Sequence, residues 1–366
     1  MSKTKKTGKK KVLTALALIV FCIVLVLGGM MIYGKIQMGK IPRLSFREAL
    51  EYTTQNNPNA VITVGIIKDG KSSYTVYGAD GKVIADAEYT YEIGSIAKTF
   101  TASLIDKAVK EGKISLEDTV DKYLNLQAGN NYPTIKELLT HTSGYKGWYF
   151  ETPMIANFFK GRNDYYGISK DMIIKKAESL DRQENSCGYK YSNFGYAVLG
   201  LVLESVYKSD CTTILNDFVK TELKLNSTRI SDQSGELGKY MTWKSDDGYI
   251  PAGAMTSDIG DMLAYAQMNL DENPYFADTH TSLKKVDAST DDYKLMDINI
   301  DEIGMAWAID KENGIIWHAG GTDNYNSYLG FNLENKTAVV ILSNLPPSYR
   351  IPSVVLGVKL LLELGA

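Results

Sequence analysis

The stretch SIAKTFTASLIDKAVKE, residues 95–111, marks where the periodicity of the chain changes. Ile96, Phe100, Leu104, Ile105 and Val109 recur at helical spacing, which predicts a helix over 95–111. Before it the pattern is β-rich: 60–67 and 73–77 read as strands joined by Asp69-Gly70, a hairpin signal. After it 134–139, 169–179, 194–207 and 256–268 read as helices. Strand runs then return at 305–310, 315–319, 328–332 and 338–342, with Asn313-Gly314 turning the first pair and an apolar helix closing at 351–364. Strands at both ends around a helical middle predict an α/β (α+β) fold. Its single antiparallel sheet is built from both termini, flanked by helices, and carries an all-α insert at roughly 100–250.

At 366 residues and 44% hydrophobic composition the chain has ample material for a large core. Its net charge of −3 is unevenly spread, because Lys3, Lys5, Lys6, Lys9, Lys10 and Lys11 place six cations at 1–11 and leave −9 for the rest. An acidic body without a basic patch argues against a nucleic-acid partner. Residues 12–33 carry no charge and are long enough for a bilayer core of roughly 30 Å, so they are expected to anchor the chain, preceded by a cytoplasmic tail. A cleaved leader fits less well, since Gly28-Gly29-Met30-Met31 lacks an A-x-A pattern. Residues 34–44 form a polar linker, and Ser45-Phe46-Arg47-Glu48 reads as a capping box opening the domain at 45–366 with a helix to about Gln55. The expected location is the cell membrane, single-pass, with the domain outside the cytoplasm. Cys187 and Cys211 are expected to be unpaired apolar side chains.

His141, His280 and His318 lie far apart without an H-E-x-x-H arrangement, and neither a calcium loop nor a phosphate loop occurs, so no metal or cofactor is expected. Ser95 and Lys98 offer a nucleophile and an amine on one helical face. The same spacing occurs at Ser2, Ser143, Ser205 and Ser282, and spacing alone does not choose among them. Ser95 is set apart by Gly94 before it and the apolar helix after it, which puts it at a helix N-terminus favouring developing negative charge.

Ser95-Ile96-Ala97-Lys98 resembles the first motif of the serine β-lactamases and penicillin-binding proteins. Tyr191-Ser192-Asn193, within GYKYSNFGYAVLG at 188–200, resembles the second motif of the class C β-lactamases and DD-peptidases. His318-Ala319-Gly320, followed by Gly321, resembles the third in its H-x-G form. GKISLED at 112–118, TIKELLTHTSG at 134–144 and PAGAMTS at 251–257 fall where that family has supporting segments, so the resemblance covers about 45–366. It implies an acyl-enzyme on Ser95, proton transfer shared by Lys98 and Tyr191, and Asn193 orienting Lys98 and the substrate amide. It further implies an oxyanion hole from the N–H groups of Ser95 and Gly321, with His318 and Gly320 along the substrate. His141 is expected to stabilise a turn rather than to act, and His280 to lie in a polar loop.

An H-x-G third motif resembles certain DD-peptidases and esterases more than dedicated β-lactamases. Three functions follow: a carboxypeptidase or esterase acting on peptidoglycan peptides or D-alanylated envelope polymers, a β-lactamase acting on β-lactams, or a silent penicillin-binding sensor.

Overall fold

The computed structural model describes residues 39–181 and 187–365. The chain divides into two units, Met1–Ser45 and Phe46–Ala366. Of the first, the described part is a short 3-10 turn at Ile41–Arg43. The basic tail and the candidate anchor at 12–33 lie outside the described residues, and among those described no helix is long and apolar enough to cross a membrane.

The second unit begins α1 (Phe46–Thr54), β1 (Ile62–Lys68), β2 (Lys71–Tyr77), β3 (Tyr91–Glu92), α2 (Ala97–Lys110), α3 (Ile135–Leu139), α4 (Pro153–Lys160), α5 (Lys170–Glu178), α6 (Asn193–Tyr207) and α7 (Cys211–Asp217). It continues β4 (Arg229–Ile230), α8 (Ile250–Gly253), β5 (Met255–Ser257), α9 (Ile259–Leu270), β6 (Lys284–Lys285), α10 (Asp291–Leu295), β7 (Glu302–Ile303), β8 (Ala308–Asp310), β9 (Ile315–Gly321), β10 (Asn326–Asn332), β11 (Thr337–Ser343) and α11 (Ser353–Glu363).

Both ends of the domain build one sheet, as expected, in the order β2-β1-β11-β10-β9-β8-β7-β6, antiparallel throughout, but it is not the single sheet expected, because β3, β5 and β4 form a second, three-stranded antiparallel one. Asp69-Gly70 turns β1 into β2, whose last pair is Lys68–Lys71. Register shows which face each residue serves: Tyr328, Ile341 and Val64 align on one face, and Leu329, Val340 and Gly65 on the other. A Cβ at Gly357 would strike Tyr328, and one at Gly65 would strike Ile259 and Leu263, so α11 and α9 cover opposite faces. A sheet covered on both sides needs apolar residues at successive positions, which is why β10 and β11 are buried along their full lengths.

The helical insert holds α2 at its centre. Residues 97–106 are buried all round, so the polar Thr99, Thr101 and Ser103 need partners inside. Thr99 and Ser103 donate to carbonyls of the preceding turn, and Thr101 donates to Pro251 O at 2.8 Å.

Three more expectations need correction. The 256–268 segment starts as β5, and its helix opens only after Asp258, whose side chain caps Asp261 N. The strand expected at 305–310 begins at Ala308, because Ala306 takes a φ of 73° that no strand accommodates. Ser95 is not the first residue of an α-helix but lies inside a 3-10 turn, Gly94–Ile96, with no side-chain cap.

Candidate active site

Gly94 and Gly320 explain how three distant segments converge. Gly94 has a φ of 51°, and a Cβ on it would lie 2.6 Å from the Gly321 nitrogen. A Cβ on Gly320 would lie 2.0 Å from Ile93 O. The turn carrying Ser95 is therefore packed backbone to backbone against the end of β9, fastened by Ser327 Oγ donating to Ile93 O at 2.8 Å.

β9 also presents a free edge there. Thr322 N donates to Tyr325 O, so by antiparallel alternation Gly320 and Ser327 form the next bonded pair, and the Gly321 N–H between them points away from β10. β8 pairs with β9 only as far as Trp317, which leaves Ala319 and Gly321 open beside Ser95.

Lys98, in the first turn of α2, is fully buried. Its Nζ is hydrogen-bonded to Ser95 Oγ at 2.9 Å and to Ala252 O at 2.5 Å, and it lies 5.0 Å from the Tyr191 ring and 5.6 Å from the Tyr196 ring. Among the described residues no carboxylate forms a salt bridge with it, and burial drives its pKa well below the ordinary lysine value. The PAGAMTS segment thus supplies the carbonyl that holds the amine.

Tyr191 precedes α6. Burial raises its pKa, while a hydrogen bond to Ser95 pulls in the opposite direction. The residue keeps 36% of its surface open to the cleft. Ser192 caps α6 by accepting from Gly195 N at 2.9 Å.

Asn193 departs from expectation. Its Nδ2 donates to the Tyr165 hydroxyl at 2.8 Å rather than engaging Lys98, and its Oδ1 is buried without a partner. It lines a chamber of about 40 Å³ that opens on Ser95 and Gly321, together with Tyr165, Trp243 and Tyr249.

His318 and His141 both line the main cleft. His318 Nδ1 is 2.8 Å from Ala319 O, and burial, with the nearby Lys98, pushes its pKa down to about 3. His141 does stabilise a turn, with a φ of 57°. Its Nδ1 accepts from Ser192 N at 3.1 Å and its carbonyl accepts from Lys190 N, so it grips the chain on both sides of Tyr191. It is also a wall of the site, its ring 4.4 Å from that of Tyr191, and burial drives its pKa well below the usual histidine value. His280 is no loop residue: it is buried, 2.7 Å from Asn269 Oδ1 and 4.9 Å from the Phe331 ring. Cys187 and Cys211 are free thiols.

The cleft, about 650 Å³, runs from Ser95 along the β9 edge past Tyr191, Tyr293 and Trp317, and among the described residues no lysine, arginine, aspartate or glutamate lines it. Just past the end of β9 that meets the Ser95 turn, Asp323 has its pKa raised by burial and then by Asp164. Among the described residues no cluster of His, Cys, Asp or Glu is arranged to hold a metal ion.

Ser95, Lys98, Tyr191, Asn193, His318, Gly320 and Gly321 were all named from the sequence, and the fold brings the seven together, Asn193 in the side chamber beside Ser95 and Gly321. Sequence reasoning missed Tyr165, Trp243 and Tyr249, which no local motif marks, and His141's place at the site.

Protein flp of Staphylococcus aureus (strain MW2) is 24% identical over 327 residues, covering 82% of this chain. Penicillin-binding protein 4* of Bacillus subtilis (strain 168) is 25% identical over 293 residues, covering 69% of this chain. The chain spans 62% and 60% of the lengths of these relatives. Among solved structures, the β-lactamase/D-alanine carboxypeptidase of Yersinia pestis superposes with a TM-score of 0.67 at 16% identity, covering 90% of this chain and 98% of that one. The octameric penicillin-binding protein homologue of Pyrococcus abyssi gives 0.66 at 23% identity, covering 83% and 73%. The Beta-lactamase family model matches residues 51–354, and the chain therefore belongs to that family, within the superfamily of serine β-lactamases and penicillin-binding proteins.

Proposed function

We propose that this protein is an extracytoplasmic serine hydrolase that forms an acyl-enzyme on Ser95 and acts on D-alanyl groups of the cell envelope, with esters preferred over peptides. The observation that carries the reading is the Lys98 amine, buried without a carboxylate and hydrogen-bonded at 2.9 Å to an accessible serine hydroxyl. Outward placement is supported by the lysine tail and the uncharged run at 12–33.

Neutral Lys98 takes the Ser95 proton as Oγ attacks the substrate carbonyl carbon. The resulting oxyanion is met by the N–H groups of Ser95 and Gly321. Tyr191, whose raised pKa keeps it protonated, protonates the departing oxygen or nitrogen as the intermediate collapses, and the Lys98 proton then restores the tyrosine. Water admitted to the ester carbonyl reverses these transfers and frees the acid.

The preference for esters comes from charge. A C-terminal D-alanine carries a carboxylate, and among the described residues the cleft lining offers it no cation, since His318 is neutral at any physiological pH. A D-alanyl ester instead brings an ammonium, which suits the acidic Asp323 and Asp164 near the chamber. A D-alanyl ester of a neutral alcohol is expected to exceed an N-acylated D-alanyl-D-alanine in kcat/KM by roughly 10–100-fold, the worth of one hydrogen bond to a charged group. His318→Lys should narrow the ratio by raising peptide turnover. A wild-type preference for the peptide, or rapid release of hydrolysed penicillin exceeding both, overturns the assignment of substrate.

A further inference from the structure

Helices on a protein surface turn their apolar side inward, and α4 does not. Met154 and Asn157 are its buried residues, while Ile155, Phe158 and Phe159, on one face by their i, i+3, i+4 spacing, are 52%, 78% and 82% exposed. In the extended stretch before it, Trp148 and Phe150 point outward and alternate with Tyr149, whose ring packs 4.9 Å from Phe194. Five of the nine exposed large hydrophobic residues among those described therefore fall within 148–159. Such concentration marks a contact surface rather than ordinary scatter.

We propose that this aromatic segment docks the catalytic domain on the surface of a lipid bilayer carrying anionic headgroups. Lys146, Lys160 and Arg162 flank the aromatic residues, are exposed, and form no salt bridge among the described residues. Glu151 is already engaged by Lys176 at 3.7 Å, which leaves Asp164 as the exposed acidic neighbour. Tryptophan and phenylalanine bordered by lysine and arginine are the composition of segments that settle at the headgroup boundary.

A second copy of the chain fits less well. Taking about 200 Å² for a fully exposed large aromatic, the five side chains offer on the order of 600 Å², short of the roughly 800 Å² per partner in a stable protein interface.

The segment is tied to the site. Ser192 Oγ donates to Lys146 O at 2.7 Å, and Phe194 N donates to Gly147 O at 3.1 Å, one bond on each side of Asn193. Docking would hold the cleft near headgroup level, where it meets acyl esters on lipid-linked polymers. That consequence rests on the hydrolase reading; the docking itself does not.

The test uses the full-length chain, one per nanodisc, in phosphatidylglycerol and phosphatidylcholine with plain or brominated acyl chains. Trp148 emission is obtained as wild type minus Trp148→Phe. Brominated lipid should reduce it at least twofold, equally in a Ser95→Ala chain. Phe158→Ser with Phe159→Ser should abolish the quenching and leave hydrolysis of a soluble ester within twofold of wild type. Equal Trp148 emission in both discs, or quenching that survives the double substitution, overturns the proposal.

Discussion

Lys98→Met is expected to lower kcat/KM by about 10³–10⁴-fold, near the upper limit for losing a general base, while the protein becomes more stable at neutral pH. The two effects share a cause. The folded-state pKa of Lys98 is depressed, so below the unfolded value of about 10.5 the unfolded chain holds a proton that the folded chain has given up. Each unit of that difference costs about 1.4 kcal/mol of stability. Methionine has a similar shape and no charge to bury, and apolar replacement of buried ionic groups stabilises by about 1–4 kcal/mol in favourable cases. Against this stands the Ala252 carbonyl, which loses its donor at a cost of about 1–3 kcal/mol. The decisive signature is therefore the pH dependence. As pH rises toward 10.5 the cost to wild type fades, and the advantage of Lys98→Met should shrink. Melting temperatures of both proteins from pH 6 to 10 check this, and a gap that widens with pH contradicts it.

Acid should unfold the domain well above the usual carboxylate range. His141, His280 and His318 all have pKa values below the ordinary 6.5, two of them pushed down to about 3 by burial. Below pH 6.5 the unfolded chain takes up these protons first, so stability is complete above that pH and falls beneath it. Three imidazoles remove up to about 4 kcal/mol per pH unit, against a total stability of about 5–15 kcal/mol. Glu92, Asp106, Asp247 and Asp261 act in the opposite sense, since burial raises their pKa values and the folded chain protonates them first. The histidines lower stability as pH falls below 6.5 and these carboxyls offset part of that loss, so the measured slope is the histidine effect less theirs. Melting temperature at pH 7.5, 6.5 and 5.5 measures it: a steep fall over the last interval is expected, and His318→Asn should make it shallower. A flat profile contradicts neutral, buried histidines.

β1, β9, β10 and β11 were legible because each is largely apolar and buried along its length, and the three motifs because their order restricts the choice among five copies of Ser-x-x-Lys. What escaped depends on contacts between distant residues. Lys98 finds Ala252 across 154 positions, and Asn193 finds Tyr165 across 28, so neither partner leaves a local signal. β3, β4 and β5 are two or three residues long, too short for any alternation to show. His141 reads as a turn residue because it is one, and only the fold reveals that the turn presses it against Tyr191. α4 escaped because its exposed face carries the apolar residues that a soluble helix would bury.

The most direct test of Ser95 as an activated nucleophile is adduct mapping. The full-length chain would be treated with a labelled penicillin and, separately, a fluorophosphonate, and the modified residue located by mass spectrometry. Label on Ser95 from at least one reagent is expected, lost in Ser95→Ala and slowed by about 10³-fold or more in Lys98→Met. No label on Ser95 with either reagent would contradict the account.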